Sequence, residues 1–195
     1  MDNSNSAGRQ ASDILELAID KGALAFGEFR LTAGGTSSYY FDGRILTLDP
    51  EGGYRVAKAF LPMIRECGAQ AIAGPTLGAD PIVSAVSVLS HIEGYPVAGL
   101  IVRGEAKGHG GKRAIEGPTD TLDAGAPVVV ADDTCTTGGS LFHAIEAVES
   151  AGYRVVKVLS ILDRNEGGSA ELRRRGYSYQ SLLSANEQGE INPSN

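Results

Sequence analysis

Two adjacent carboxylates, Asp132 and Asp133, follow the apolar run from Val128 to Val130. Such a β-branched run predicts a buried strand with both acids at its carboxyl end. Ionised carboxylates only accept hydrogen bonds, which suits the vicinal hydroxyls of a ribose. The glycine turn after them and a helix that begins near Gly139 offer N–H groups and a dipole to a phosphate. The stretch predicts a ribose 5-phosphate site, although an isolated Asp-Asp or Gly-Gly pair is more often a plain capped turn.

The complete stretch from Ala126 to Ser140, APVVVADDTCTTGGS, resembles the phosphoribosyl pyrophosphate (PRPP) signature of the type I phosphoribosyltransferases. The resemblance implies that the acids hold the ribose hydroxyls and that the turn anchors the 5′-phosphate. It implies PRPP binding by these residues: Asp132, Asp133, Thr134, Cys135, Thr136, Thr137, Gly138, Gly139 and Ser140. No base adjoins Cys135 in the sequence, so we interpret its thiol as a filler of the loop rather than as a nucleophile.

Residues 103 to 117, RGEAKGHGGKRAIEG, form a glycine-rich basic stretch in an acidic chain. Such a stretch cannot form a stable helix, and it predicts a flexible cationic loop over residues 104 to 113 that closes on a polyanion. A solvated linker is the alternative. Arg103, Lys107 and His109 match the catalytic loop of the family, which implies that all three bind PRPP and that, with Asp132 and Asp133, they are catalytic. Lys107 is the strongest candidate.

Residues 26 to 50 contain short alternating segments separated by glycines, which predict a small antiparallel unit. The pattern Phe-Gly-Glu-Phe-x-Leu, then Ser-x-Tyr-Tyr-Phe-Asp-x-Arg, is similar to the N-terminal hood of orotate phosphoribosyltransferases. A later Asp-Arg-x-Glu-Gly-Gly motif matches the same family. The resemblance implies orotate binding by these residues: Tyr40, Phe41, Thr136 and Arg164. The guanidinium of Arg164 would meet the orotate carboxylate, whereas without the resemblance the aromatics are strand packing and the arginine a salt-bridged turn.

Strands and helices alternate along the rest of the chain, which predicts an α/β fold with a central parallel β-sheet flanked by helices, the type I phosphoribosyltransferase fold. We expect one domain over residues 1–195, with a small N-terminal hood from about 10–50 and a core over about 51–186. Four polar clusters, 74–81, 103–113, 132–140 and 163–168, follow strands and should meet in one cleft. We also expect disorder up to about residue 9, a helix capped by Ser12-Asp13, and a loose tail from Glu187.

The composition restricts the partners. The 195 residues carry a formal charge of −7, which argues against a nucleic-acid or anionic-membrane surface. Two cysteines, Cys67 and Cys135, fit neither a metal spacing nor a disulfide framework, and Cys67 is expected to be a small buried residue near a helix end. A polar N-terminus and the absence of a spanning apolar run predict a cytoplasmic protein.

The resemblance implies an enzyme that converts orotate and PRPP to orotidine 5′-monophosphate and pyrophosphate, in pyrimidine biosynthesis. It also implies Mg²⁺ carried by PRPP, without an assigned protein ligand, and a homodimer in which the loop serves the neighbouring subunit. A purine or another pyrimidine as the base, or a non-catalytic PRPP or nucleotide sensor, are the alternatives. Many family members have basic residues where this chain has Thr32, Gly104 and Leu77-Gly78, and Arg44 or Lys112 could compensate for the lysine that is missing at Thr32.

Overall fold

The computed structural model describes residues 3–30, 35–104 and 114–194. Its first part is the predicted hood, a helix followed by a two-stranded antiparallel sheet and a short helix. The elements of this part are α1 (Asn3–Asp20), β1 (Leu24–Arg30), β2 (Thr36–Phe41) and α2 (Gly43–Thr47). The prediction of a small antiparallel unit is confirmed, with Phe26 opposite Tyr39 in the register.

The helix α1 begins earlier than the sequence indicated. Expected disorder up to residue 9 is wrong from Asn3 onward, and Ser12 lies inside the helix rather than at its cap. The Ser12 hydroxyl donates to the Gly8 carbonyl, at 3.0 Å, which a hydroxyl in a helix interior does readily. Ile14 and Ala18 are buried as expected and hold the helix on the core.

A seven-stranded sheet forms the core, in the order β5-β4-β3-β6-β7-β8-β9. The elements are α3 (Pro50–Glu66), β3 (Ala71–Pro75), α4 (Asp80–Ile92), β4 (Ala98–Val102), β5 (Ile115–Glu116), β6 (Pro127–Cys135), α5 (Gly139–Ser150), β7 (Arg154–Asp163), α6 (Gly168–Arg174), β8 (Tyr179–Ala185) and β9 (Ile191–Pro193). The five inner strands are parallel, which confirms the predicted architecture, and β5 and β9 pair antiparallel at the edges.

The central strand β6 is buried on both faces. Val128 and Val130 pack with α5 and α6 on one side, and Val129 packs with the α1, α3 and α4 side, each with 0% exposure. Parallel strands covered on both sides read as continuous apolar runs, which is why this strand could be recognised. The strands β3, β6 and β7 all end at the same edge, where Cys135 lies opposite Asp163. Three of the four predicted polar clusters, 74–81, 132–140 and 163–168, lie at these strand ends.

The expected loose tail after Glu187 is wrong. Strand β9 pairs with β8, with Ile191 opposite Ala185 and only 6% exposed. The Asn186 side chain accepts hydrogen bonds from the backbone of Gln188 and Glu190, at 3.0 and 2.9 Å, and so fixes the turn between the two strands. This turn packs so closely on the hood that a Cβ atom on Gly189 would overlap the Ser38 hydroxyl on β2.

In the part of the chain that the structure describes, no helix is both long and apolar enough to cross a membrane.

Candidate active site

A cleft of about 450 Å³ opens at the carboxyl edge of the sheet, between the sheet and the hood. It brings together residues of the hood, of the turn after β3, of the turn after β6 and of the turn after β7. Its lining residues are Tyr40, Phe41, Asp42, Arg44, Pro75, Thr76, Leu77, Gly78, Asp132, Asp133, Thr134, Thr136, Ser140 and Arg164. Three of the four polar clusters therefore meet in one cleft.

Asp132 lies at the bottom of this cleft and is 5% exposed. One carboxylate oxygen, Oδ1, accepts from the backbone N–H of Asp133 at 2.9 Å, and Oδ2 accepts from the Ser140 hydroxyl at 2.7 Å. Burial, and then the charge of Asp133, raises the pKa of Asp132 to about 7, against the opposing hydrogen bond from Ser140. The pair therefore holds a proton more readily than two exposed acids would.

Asp133 lies between the hood and the turn after β3. A Cβ on Gly43 would stand 2.5 Å from the Asp133 Cβ, and a Cβ on Gly78 would stand 3.0 Å from its Cγ. Only glycine permits so close an approach on both sides. Burial raises the pKa of Asp133, whereas the hydrogen bond from Thr134 and the charge of Arg44 lower it. The sequence indicated turns at Gly43 and Gly78, but it gave no sign that both glycines approach Asp133.

The turn after β6 leads directly into α5. Gly138 is the N-cap of this helix, with the left-handed φ of 84°, and among the residues that the structure describes no side chain caps the first turn. The N–H groups there remain available to an anion. The start of α6 supports the turn, since the Gly168 N–H donates to the Thr136 carbonyl at 3.0 Å. Thr137 and Gly139 are exposed at the surface of the same turn.

One residue of this stretch, Cys135, does not lie where the sequence predicted. It is the last residue of β6 rather than a loop residue, and its side chain has 0% exposure and packs in the core among residues such as Leu141 and Leu172. Burial raises the pKa of its thiol to about 11. The thiol therefore packs in the core, in agreement with its interpretation as a filler rather than a nucleophile, and PRPP binding by Cys135 stays a prediction. Cys67 is half-buried at the end of α3, where full burial was expected.

The hood supplies the aromatic wall of the cleft. Tyr40 is 46% exposed, and its ring lies 5.7 Å from the ring of Phe29 across the hairpin. Arg164 enters from the opposite side, held by its backbone N–H, which donates to the Cys135 carbonyl at 2.9 Å. The guanidinium of Arg164 lies over the ring of Tyr39, at 4.7 Å from its centroid. An aromatic ring, Tyr40, and a cation, Arg164, thus line the same cleft as Asp132 and Asp133.

Arg44 is a cation that lines the cleft. The sequence indicated it only as a possible replacement for a basic residue that this chain lacks. Its guanidinium makes two 2.9 Å hydrogen bonds to the carboxylate of Asp42, the N-cap of α2. On the other side, the turn after β3 contains a cis peptide between Thr76 and Leu77. The Thr76 hydroxyl donates to Asp80 at 2.8 Å and closes this turn on α4.

Arg103 is not among the residues that line the cleft. It follows β4, and its Nε donates to the Glu116 carboxylate at 2.7 Å. Its carbonyl oxygen contacts Nε2 of His143 at 2.8 Å. The predicted residues Lys107 and His109, and with them Thr32 and Lys112, lie outside the described residues. The structure therefore joins the sugar, phosphate and base sides of the predicted site without testing its basic loop.

Two acids at the end of a central parallel strand, a left-handed glycine turn after them and a hood above them are the features of a type I phosphoribosyltransferase. No protein-family model matches the chain. Among curated proteins, the chain is 47% identical over 161 residues to an orotate phosphoribosyltransferase of Thermosynechococcus vestitus, covering 83% of this chain and 84% of the relative. It is 45% identical over 157 residues to that of Nostoc sp., covering 80% and 75% of the two chains. The chain therefore belongs to the orotate phosphoribosyltransferase family.

The solved structures agree with this assignment. The crystal structure of Mycobacterium tuberculosis orotate phosphoribosyltransferase in complex with PRPP has a TM-score of 0.71 to this chain. The two are 28% identical, with 91% of this chain and 90% of that chain covered.

Proposed function

We propose that this chain transfers ribose 5-phosphate from PRPP to orotate, giving orotidine 5′-monophosphate and pyrophosphate in pyrimidine biosynthesis. The observation that carries the proposal is the single cleft that joins Asp132 and Asp133 to Tyr40 and Arg164. Sugar hydroxyls and a flat anionic base would both find partners in this one cleft. The curated relatives that bear the name orotate phosphoribosyltransferase support the choice of base.

The cleft suggests a position for each part of the substrates. Asp132 and Asp133 accept hydrogen bonds from the ribose hydroxyls, and the turn from Thr136 to Ser140 binds the 5′-phosphate with its N–H groups. Tyr40 and Phe41 cover the orotate ring, Thr136 contacts its edge, and Arg164 binds its carboxylate. This arrangement points C1′ of the sugar toward the base.

The reaction breaks the bond between C1′ and the pyrophosphate oxygen and forms a bond from C1′ to the ring nitrogen of orotate, which has given up its proton to solvent and attacks as, or nearly as, an anion. The ribose becomes cationic and the leaving pyrophosphate gains the bonding electron pair. Carboxylates beside the sugar favour the positive charge, and cations beside the pyrophosphate favour the negative charge. We assign the second role to Lys107, Arg103 and His109. Arg103 would have to leave Glu116, which costs little because this ion pair is exposed.

We also propose Mg²⁺ as the cofactor. The described residues contain no group of three side chains arranged as a metal cage, and the half-buried carboxylate of Asp133 is a hard oxygen ligand that faces the cleft. Mg²⁺ is commonly bound by one or two carboxylates together with substrate phosphates, and it supplies positive charge to the leaving group. Asp133 is therefore the residue that we expect beside it.

Incubation with PRPP, Mg²⁺ and orotate tests the function. We expect the orotate absorbance to fall, and we expect no consumption of hypoxanthine or uracil at the same rate. Arg164→Gln should raise the KM for orotate. Arg154→Gln is the matched control, because Arg154 lies at the opposite end of β7. Consumption of another base while orotate remains would refute the assignment of the base.

We further propose a homodimer in which the basic loop of one subunit serves the cleft of the other. Large apolar side chains beside the cleft support it: Leu48, Leu77, Val88 and Ile92 are 72%, 62%, 62% and 73% exposed. Leu48 and Leu77 border one shallow cavity with Pro81 and Ala85, and Val88 and Ile92 continue this face of α4 at helical spacing. A second copy of the chain would cover this surface.

Complementation between two inactive variants tests the shared loop. Lys107→Ala and Asp132→Asn should each be inactive alone, and mixing them should restore part of the activity, because each mixed dimer would contain one intact site. A monomer in light scattering, or no recovery after the subunits exchange, would refute this arrangement.

A further inference from the structure

Arg164 has surroundings that the base-binding role alone does not require. Its side chain is only 12% exposed and separates the cleft from a second, polar cavity of about 380 Å³. Hood strand β2 and the turn between β8 and β9 line that second cavity. The Arg164 side chain therefore lies beside two parts of the chain that are distant from it in sequence.

One face of the guanidinium rests on an aromatic ring. The Cζ atom of Arg164 lies 4.7 Å from the centroid of the Tyr39 ring, and Tyr39 is 4% exposed. A cation over a desolvated ring is attracted by the ring's negative face, and the contact fixes the plane of the guanidinium. The next residue, Tyr40, turns to the opposite side of β2 and lines the cleft.

One edge of the guanidinium is already occupied. Its Nε–H donates to Oε1 of Glu166 at 2.7 Å, and Nη2 makes a longer contact of 3.4 Å to the Ser37 hydroxyl. Within the described residues, Nη1 has no hydrogen-bond partner. A carboxylate that binds in the bidentate manner needs two parallel N–H groups. With Nε engaged by Glu166, the Nη1–Nη2 edge is the one left for such a ligand.

We propose that Tyr39 and Glu166 are positioning residues that orient Arg164 so that its Nη1–Nη2 edge receives the carboxylate of the base. This inference rests on the proposed function. Tyr39 fixes the plane of the guanidinium, and Glu166 fixes its rotation within that plane. The pair thereby decides how strongly the cleft prefers a base with a carboxylate over the same base without one, and neither residue needs to touch the substrate.

The test compares two nucleotides that differ only in this carboxylate, orotidine 5′-monophosphate and uridine 5′-monophosphate. Their dissociation constants are measured by calorimetry for the wild type, Tyr39→Leu and Glu166→Gln. For the carboxylated nucleotide, we expect Tyr39→Leu to weaken binding about tenfold and Glu166→Gln about threefold, with binding of uridine 5′-monophosphate unchanged within about twofold. The second substitution retains a hydrogen-bond acceptor, so its effect is smaller.

Two matched variants serve as controls. Tyr39→Phe keeps the ring, and Glu171→Gln removes a carboxylate that pairs with Arg174 and Arg175 on α6. Both should bind the two nucleotides as the wild type does. Equal loss for the two nucleotides in Tyr39→Leu would mean that the residue only supports the fold, and it would overturn the proposal. Unchanged binding of orotidine 5′-monophosphate in Tyr39→Leu or in Glu166→Gln would overturn it as well.

The same measurements separate this inference from the proposed function. A wild type that prefers orotidine 5′-monophosphate but does not turn over orotate with PRPP would refute the proposed reaction and leave the positioning result intact. A wild type that binds both nucleotides equally would refute both.

Discussion

Replacing Asp132 with asparagine should stabilise the fold while it destroys the ribose site. Asp132 is 5% exposed, and burial together with Asp133 raises its pKa to about 7. In the unfolded chain an aspartate has a pKa of about 3.9, so the folded protein binds more protons than the unfolded one between these values. Stability should therefore fall as the pH rises from about 4 to about 7 and remain low above that range.

The size of the effect follows from the shift. About three pKa units, at about 1.4 kcal/mol each, give a ceiling of about 4 kcal/mol. Asparagine has nearly the same shape as aspartate. Its side-chain amide can form hydrogen bonds with both present partners of Asp132, the Asp133 N–H and the Ser140 hydroxyl. We expect Asp132→Asn to raise the free energy of unfolding by about 1 to 4 kcal/mol at about pH 8, and to leave it nearly unchanged at about pH 4.

Urea denaturation of both proteins over this pH range measures the gain, and the PRPP-induced shift of the melting temperature measures ligand binding. The shift should be lost in Asp132→Asn. Asp123→Asn, which removes an exposed carboxylate outside the cleft, should alter neither quantity. A gain that is independent of pH, or a variant less stable than wild type at about pH 8, would refute the argument from burial. A retained PRPP shift would refute the ribose assignment.

Three further predictions concern other parts of the site. Gly43→Ala should destabilise the protein by about 1 to 3 kcal/mol and raise the KM for PRPP, because the added methyl group would overlap Asp133. Urea denaturation and steady-state kinetics measure the two effects, with Gly8→Ala as the control. Wild-type stability and KM in Gly43→Ala would contradict this prediction. Lys107→Ala should lower turnover by about 10² or more, and an unchanged rate would remove the loop from the chemistry. Cys135 should resist alkylation in the folded protein because burial raises the pKa of its thiol, which mass spectrometry checks; rapid labelling would contradict its burial.

The sheet could be predicted because its inner strands are apolar on both faces, as Val128 to Val130 are. The edge strands could not, since β5 and β9 contain only two and three residues and show no periodicity. Asn186 was the available signal for the turn before β9, because its side chain caps that turn. The start of α1 was missed because Ser12 has the composition of a cap but bonds within the helix.

The sugar side of the site could be predicted because parallel strand ends meet at one edge, so that Asp132 and the turn after it had to lie in the cleft. The base side depends on contacts across long separations, which local patterns do not carry. Arg164 meets Ser37 at 127 residues' distance along the chain. The direction of the Cys135 side chain could not be predicted either. The sequence did not show that this residue still belongs to β6, where side chains alternate between the two faces of the sheet.

The packing of Gly189 on Ser38 ties the far end of the chain to the strand that bears Tyr39 and Tyr40. In the proposed assignment, the base side of the cleft is thus connected to the C-terminal hairpin, whereas the sugar-phosphate side belongs to the sheet. Strand β9 then runs back along β8, with Pro193 opposite Leu183, so a change in the turn before β9 would reach the hood more directly than a change in the residues after it.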